Sequence, residues 1–134
     1  MKDCIFCKVI AKEVPGYFVL EEENIVAFLD IFGSAPGHTM VVPRKHGHSI
    51  LDYSKEELGE AMEGVQVVAK KMKKSLKTDY ITIGINHEEA KGVPHLHIHL
   101  IPRFKDDGGH VIQGVVKKSI NEDLDKIAEK IRNS

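Results

Sequence analysis

The sequence predicts an α+β fold: an antiparallel sheet with a long helix and a C-terminal helix. Short apolar or alternating runs are typical of strands, and one long stretch has helical periodicity. Most connections between the predicted strands are too short for crossover helices, so the strands are expected to pair antiparallel. The 134 residues are expected to form one domain.

Strands predominate in the N-terminal half. A short helix is predicted over residues 8–12, and Pro15-Gly16 then breaks the chain. Residues 17–20 and 25–30 are typical of a hairpin, with residues 21–24 in its turn. A third strand is predicted over residues 38–43, where the sequence is mostly apolar.

The long helix is predicted over residues 55–76. Ser54 and Glu57 have the spacing of a capping box. Apolar residues then recur every three or four positions and are expected to face the core: Leu58, Met62, Val65, Ala69, Met72 and Leu76.

Further elements are predicted in the C-terminal half. Strands are expected over residues 80–85 and 110–116, and residues 119–122 have the spacing of a second capping box. An amphipathic helix is expected over about residues 120–133 because apolar residues recur at helical spacing. These residues are Leu124, Ile127, Ala128 and Ile131.

Three histidines alternate with apolar residues in the segment HLHIHLI, which begins at His95. In a strand, His95, His97 and His99 share one face and lie roughly 6.6 Å apart, while the apolar residues face a core. Three polar rings on one face contribute nothing to core packing, and each buried ring needs a hydrogen-bond partner. Because imidazole serves as nucleophile, base, acid or metal ligand, the pattern indicates a functional site.

Composition excludes several classes of protein. Nineteen basic and 20 acidic residues nearly cancel, so no basic excess predicts binding to a nucleic-acid polymer or a membrane. The N-terminus lacks the apolar core of a signal peptide, which favours a cytoplasmic protein. Two cysteines only three positions apart are poor staples for a fold.

The segment from His95 to Ile101 resembles the signature of the histidine triad (HIT) family, His-φ-His-φ-His-φ-φ, where φ is apolar. Other motifs resemble the family's nucleotide-binding branch, in the same order: CIFCK from Cys4, FLD ending at Asp30, APGH ending at His38, VPRKH ending at His46, and PHLHIHLIPR from Pro94. The resemblance covers about residues 4–104 and implies one HIT domain over residues 1–134 with a C-terminal extension. Its fold is a five-stranded antiparallel sheet with helices, usually in a homodimer.

The resemblance implies an enzyme that binds nucleotides and acts at the α-phosphate. Family members hydrolyse, or transfer a nucleotidyl group from, phosphoramidates, dinucleoside polyphosphates or related compounds, and a purine nucleotide is the expected substrate. By resemblance His97 is the nucleophile that forms a nucleotidyl-histidine intermediate, and His99 contacts the phosphoryl oxygens. His38 matches a histidine that packs against the triad. Taken alone, without the resemblance, His38 is more typical of a satisfied interior histidine.

Nucleotide-binding positions also follow from the resemblance. Asp30 matches the acid that accepts hydrogen bonds from the ribose hydroxyls, although an aspartate here is also typical of a turn cap. Asn86 matches an asparagine that contacts phosphate. Candidates for an apolar slot around the base are Ile5, Phe6, Phe28, Ile31 and Met40, each of which is also an ordinary core residue.

One stretch departs from the family pattern. Members commonly carry Gly-Gln-(Ser/Thr/Glu)-Val just before the triad, whereas this chain has Ala90-Lys91-Gly92-Val93 in a shortened loop. The usual Gln and the hydroxyl or acid are therefore missing. We expect Lys91 to supply a cationic contact in their place and Gly92 to let backbone N–H groups approach a phosphate. Val93 is counted with them among the candidate nucleotide-binding residues.

The cysteine pair predicts a metal site. Cys4-x-x-Cys7 has the spacing of half a zinc site, and reduced thiols are the alternative. Some family members bind zinc with such a pair and two histidines that match His46 and His95. The resemblance thus implies a structural zinc with four protein ligands, which leaves His97 and His99 for the phosphate.

Two other functions stay open on the residues alone. In one, all three alternating histidines hold a catalytic metal; in the other, the chain is a nucleotide-binding regulator with little turnover. The first predicts sensitivity to chelators and a metal site without cysteines. The second predicts tight mononucleotide binding with no nucleotidyl-protein intermediate.

Overall fold

The computed structural model describes residues 3–134 and confirms the predicted α+β fold. Its five strands form one antiparallel sheet in the order β1-β2-β3-β5-β4. The strands are β1 (Phe18–Glu21), β2 (Ile25–Leu29), β3 (Thr39–Pro43), β4 (Tyr80–Gly84) and β5 (Ile98–Arg103). The α-helices are α1 (Ile5–Ile10), α2 (Lys55–Leu76) and α3 (Leu124–Arg132).

Helix α2 has the bounds that the sequence predicts. The Glu57 N–H donates to Ser54 Oγ at 3.1 Å, and the Ser54 N–H donates to the Glu57 carboxylate at 2.8 Å, so the capping box is confirmed. The buried face comprises Ala61, Gly64, Val65, Val68 and Met72. Two members of the predicted stripe, Met62 and Leu76, are exposed instead, because the sheet meets α2 along a slightly rotated line.

Each face of the sheet packs on a different helix. Alternate residues of β2, β3 and β5 pack against α2, as Ala27, Val41 and Leu100 show. The opposite face, which includes Phe28 and Met40, packs against α1. Burial of a larger side chain such as Val41, Leu100, Phe28 or Met40 contributes about 1.5–3 kcal/mol relative to its exposure. His95 and His97 lie on the α1 side, where both rings contact Phe6 edge-on.

The histidine segment is extended, but it enters the sheet later than predicted. Strand β5 begins only at Ile98, so His95 and His97 precede it. The ladder between β3 and β5 stops short of Pro43, because proline has no N–H to donate and its carbonyl accepts from the His95 ring at 2.7 Å. The alternation itself is confirmed, since Leu96, Ile98 and Leu100 are buried.

Three predictions for shorter segments were wrong or displaced. The N-terminal helix is Ile5–Ile10 rather than residues 8–12, and Lys12 has a left-handed backbone. Residues 110–116 contain only a 3-10 turn at Ile112–Gly114, because no strand edge pairs with them in the described chain. Asp123, not Ser119, caps α3 by accepting from the Asp125 N–H.

Arg103 attaches the segment that follows β5 to the sheet. Its guanidinium forms a bidentate pair with Asp107 at 2.7 and 3.0 Å and donates to the His110 carbonyl. The apolar residues at the two ends of α3, Leu124 and Ile131, are exposed. Within residues 3–134 no helix combines the length and the apolar character that crossing a bilayer requires.

Candidate functional site

Hydrogen bonds determine which nitrogen of His38 and of His99 carries the proton. The Ser34 N–H donates to His38 Nδ1 at 3.0 Å, so that nitrogen is unprotonated. Neutral His38 therefore carries its proton on Nε2 and donates to His99 Nδ1 at 2.8 Å. It follows that neutral His99 carries its proton on Nε2, so His99 can act as a donor through that atom.

His97 has the opposite tautomer. Its Nδ1 lies 2.7 Å from the His95 carbonyl oxygen, which can only accept, so Nδ1 carries the proton. Nε2 of neutral His97 thus has a free lone pair. The His97 and His99 ring centres are 4.9 Å apart, and Phe6 packs edge-on against His97 at 5.1 Å. A lone pair and an N–H donor are therefore carried by adjacent imidazoles.

Burial keeps two of these imidazoles neutral. Burial, together with the neighbouring rings of His97 and His38, lowers the pKa of His99 to about 4, against the opposing effect of Asp30. Burial likewise lowers the pKa of His38 below its usual value, again opposed by Asp30. Both rings therefore remain uncharged near neutral pH, as the tautomer assignments require.

The lowered pKa of His99 predicts that acid destabilises the fold. Its folded pKa of about 4 lies below the ordinary 6.5, so the unfolded chain takes up a proton that the folded protein excludes. This stabilisation is complete above pH 6.5 and is lost as the pH falls toward 4. Between pH about 7 and 5, urea unfolding should show about 2 kcal/mol more loss for the parent than for His99→Asn. Equal losses of unfolding free energy in the two proteins would contradict the lowered pKa of His99.

Asp30 lies beside the paired histidines at the end of β2. Its Oδ2 is 3.7 Å from His38 Nε2 and 4.0 Å from His99 Nδ1. Its Oδ1 accepts from the Phe32 N–H at 2.9 Å, so Asp30 does stabilise a turn. Because its side chain also lines a cavity beside His97 and His99, capping the turn is not its sole structural role.

A cavity of about 330 Å³, here called the site cavity, opens beside His97 and His99. Its walls include every residue that the sequence analysis proposed for nucleotide binding: Ile5, Phe6, Phe28, Asp30, Ile31, Met40, Asn86, Lys91, Gly92 and Val93. The lining is mostly apolar, and its polar groups include Asp30, His97 and His99. Such a cavity is of the size that small-molecule sites have, about 300–1,000 Å³.

Sequence reasoning missed some residues of this site. Phe32, which is 91% exposed, and Glu89 also line the site cavity. Ser34 fixes the His38 tautomer through its backbone N–H. Any residue except proline offers that N–H, so the sequence holds no signal for the role of Ser34. The acidic Glu89 stands in the loop that departs from the family pattern, which was the available signal there.

Four further side chains form a second group, here called the Cys/His cluster: Cys4, Cys7, His46 and His95. The Cys4 and Cys7 sulfurs each lie 3.5 Å from His95 Nδ1, and the Cys7 sulfur lies 3.4 Å from His46 Nδ1. Burial and the neighbouring Cys4 raise the pKa of the Cys7 thiol. Burial lowers the pKa of His95 to about 4, so its ring is neutral.

The Cys/His cluster fits a tetrahedral metal ion. Ligands at usual zinc distances are about 3.3–3.8 Å apart, close to the separations found here. His95 Nε2 donates to the Pro43 carbonyl at 2.7 Å, which leaves Nδ1 unprotonated and directed at the thiols. Two thiols and two imidazoles are a donor set typical of structural zinc.

The sequence also matches the sequence model of a known protein family. The model for the HIT domain matches residues 11–106. The chain belongs to the HIT family. The model covers β1–β5 and therefore includes all three histidines of the triad, whereas Cys4 and Cys7 precede it.

Individual HIT proteins extend the similarity to nearly the whole chain. The adenosine 5'-monophosphoramidase of Saccharomyces cerevisiae is 34% identical over 131 residues, which cover 94% of this chain and 77% of that protein. A HIT family protein from Bacillus anthracis has 33% identity and a TM-score of 0.83, with 98% of this chain and 96% of that one covered. A zinc-bound histidine triad family protein from Mycobacterium smegmatis has 25% identity and a TM-score of 0.73, with 98% and 92% covered.

Proposed function

We propose that this HIT protein is a nucleotidyl hydrolase or transferase that acts at the α-phosphate through His97. The observation that carries the proposal is the hydrogen bond from His97 Nδ1 to the His95 carbonyl at 2.7 Å, which leaves Nε2 free to attack. The site cavity beside that ring provides space for a nucleoside. The similarity to the yeast adenosine 5'-monophosphoramidase supports the same class of reaction.

The chemistry proceeds in two displacements at phosphorus. The His97 Nε2 lone pair forms a phosphorus–nitrogen bond while the bond to the leaving group breaks, and the leaving group departs with that electron pair. His99 Nε2–H donates to a phosphoryl oxygen as negative charge develops on it. Water then attacks the same phosphorus, releases His97 and yields the nucleoside monophosphate, with the surplus proton passing to solvent.

In the proposed complex, other residues of the site cavity hold the nucleoside. The Asp30 carboxylate accepts hydrogen bonds from the two ribose hydroxyls. The base occupies the apolar slot between α1 and the sheet, where Phe6 and Phe28 contact each other edge-on at 5.4 Å. Asn86 and the backbone at Gly92 lie across the cavity and would contact the phosphate.

A comparison of leaving groups tests the proposal. Adenosine and guanosine phosphoramidates are compared with dinucleoside polyphosphates, with release of mononucleotide as the readout and His97→Asn in parallel. We expect the parent to release mononucleotide from at least one of these substrate classes, and His97→Asn to release none. Tight mononucleotide binding without turnover would instead make the chain a regulator. Turnover that requires a metal and survives in His97→Asn would make it a metalloenzyme.

The positions of the triad rings argue against the metalloenzyme. His95 Nδ1 faces the two cysteines, whereas His97 Nδ1 is hydrogen-bonded to a carbonyl. His99 Nδ1 accepts from His38 at 2.8 Å, a hydrogen-bond distance and shorter than the roughly 3.3 Å expected between two imidazole ligands of one metal. The three rings therefore have separate partners.

Lys91 is expected to help bind the substrate phosphates. It lines the site cavity in the stretch where other family members carry a glutamine and a hydroxyl or acid. Replacing Lys91 with alanine should lower kcat/KM by about fivefold, with the effect reduced at high salt. Lys70→Ala, which removes an exposed lysine on α2 outside the cavity, is the matched control. An unchanged kcat/KM for every nucleotide tried would show that Lys91 makes no such contact.

We further infer that the Cys/His cluster holds a structural zinc ion. The ion would tie the N-terminal segment before β1 to the histidine segment before β5. Because four protein ligands would leave no open position for substrate, the ion would stabilise the fold and would take no part in the reaction. Support comes from the donor set, the ligand separations and the zinc-bound relative from M. smegmatis.

We also infer a homodimer, as the resemblance implies. Strand β4 lies at one edge of the sheet, where its outer backbone groups have no partner strand within residues 3–134. Tyr80 and Ile83 on that strand are 45% and 39% exposed. An open edge with exposed apolar residues is typical of a surface that pairs with a second chain.

A further inference from the structure

The Cys/His cluster and the site cavity both include residues from two segments, the N-terminal segment around α1 and the histidine segment. Between Cys4 and Cys7 stand Ile5 and Phe6, which line the site cavity. The Phe6 ring contacts the His95 ring at 6.2 Å and the His97 ring at 5.1 Å, both edge-on. One aromatic side chain thus packs against a cluster histidine and the proposed nucleophile at once.

His95 provides a second connection. Its ring is fully buried, with Nδ1 facing the two thiols and Nε2 donating to the Pro43 carbonyl. The backbone carbonyl of the same residue accepts from His97 Nδ1 at 2.7 Å. An interaction that holds the His95 side chain in place therefore also helps to hold the His95 carbonyl, which orients His97.

Helix α1 is the part of this arrangement that most needs an external restraint. It has six residues, and its N-cap residue, Cys4, makes no side-chain capping bond. Isolated helices shorter than about 12 residues are marginal in water, so α1 depends on its packing and on whatever its cysteines bind. Ordering α1 in advance would reduce the entropy cost of closing its side chains around a ligand.

We propose that metal binding at the Cys/His cluster and nucleotide binding in the site cavity are energetically coupled, each strengthening the other. Phe6 and His95 are the positioning residues that connect the two sites. The inference rests on the proposed nucleotide site but not on turnover. By linkage, the factor by which the metal tightens nucleotide binding equals the factor by which the nucleotide tightens metal binding.

The test measures zinc affinity of the parent protein by competition with a chromogenic chelator, with and without saturating AMP. We expect AMP to tighten zinc binding at least about fivefold, the lower end of usual coupling between sites. AMP affinity, measured by calorimetry on zinc-loaded and chelator-treated protein that circular dichroism shows to be folded, should change by the same factor. Neither readout is enzymatic activity.

Two variants make the result specific. Asp30→Ala weakens AMP binding in the cavity, so the same AMP concentration should leave zinc affinity unchanged, which excludes direct chelation of zinc by AMP. Phe6→Leu keeps all four cluster donors and should reduce the coupling factor. Its matched control is Phe18→Leu, because Phe18 packs on Phe28 at 5.9 Å without an aromatic contact to the triad.

The outcomes separate this inference from the proposed function. Equal zinc affinity with and without bound AMP would overturn the coupling and leave the hydrolase proposal intact. Protein that binds no zinc would do the same. Protein that binds zinc but binds neither AMP nor any other nucleotide would overturn both the coupling and the proposed hydrolase. A coupling factor that persists unchanged in Phe6→Leu would remove Phe6 from the connection.

Discussion

Replacing His97 with asparagine is expected to lower kcat/KM for nucleoside phosphoramidates by at least about 10⁴-fold, as loss of a covalent nucleophile does elsewhere. The asparagine amide can still donate a hydrogen bond, but its nitrogen has no lone pair available to attack phosphorus. Steady-state assays over a range of substrate concentrations measure the loss. AMP affinity should stay within about threefold, because the ribose and base contacts are untouched.

His110→Asn is the matched control for that substitution. His110 is exposed and lies beyond β5, outside the site cavity. Its replacement should leave kcat/KM within about twofold of the parent. If His97→Asn retained a substantial fraction of parental activity while His110→Asn behaved normally, His97 would not be the nucleophile.

Replacing Cys7 with serine is expected to have the largest effect on stability. The substitution removes one of four ligands, and structural zinc contributes on the order of 10 kcal/mol where folding and metal binding are linked. We expect Tm to fall by roughly 10–20 °C, because much of the fold, including α2, persists without the metal. Calorimetry together with metal analysis of protein purified without a histidine tag measures both quantities.

Chelator treatment provides the control for Cys7→Ser. It should lower the Tm of the parent to that of the variant and have no effect on the variant itself. Parent protein with less than about a tenth of an equivalent of zinc would contradict the zinc site. A variant that melted within about 2 °C of the parent would contradict its structural role.

Local signals determined which parts of the fold could be predicted. Helix α2 was predicted with its correct bounds because Ser54 and Glu57 form a capping box and because its periodicity runs over many turns. Residues 110–116 were predicted as a strand because they contain apolar residues between polar ones, yet they lie exposed in the described chain. A strand needs a partner, and a partner's availability is a property of the tertiary fold that local pattern does not contain.

In the site, too, sequence patterns predicted which residues come together but not the features that depend on the tertiary fold. Alternation at His95, His97 and His99 located a candidate face, two of whose histidines line the site cavity, and family motifs located the other residues that the structure gathers around it. Neither could supply the tautomers, because these depend on the Ser34 N–H and the His95 carbonyl, which are backbone groups placed by the fold. The start of β5 was likewise set by Pro43 on a neighbouring strand rather than by the histidine segment itself.

Direct detection of the intermediate tests the central claim. Parent protein is mixed with a phosphoramidate, quenched in alkali within the first turnover because phosphorus–nitrogen bonds to histidine are acid-labile, and analysed by intact mass and peptide mapping. We expect one nucleotidyl group per chain, attached to the peptide that contains His97 and absent from His97→Asn. An adduct on another residue, or product release with no adduct during the first turnover, would contradict it.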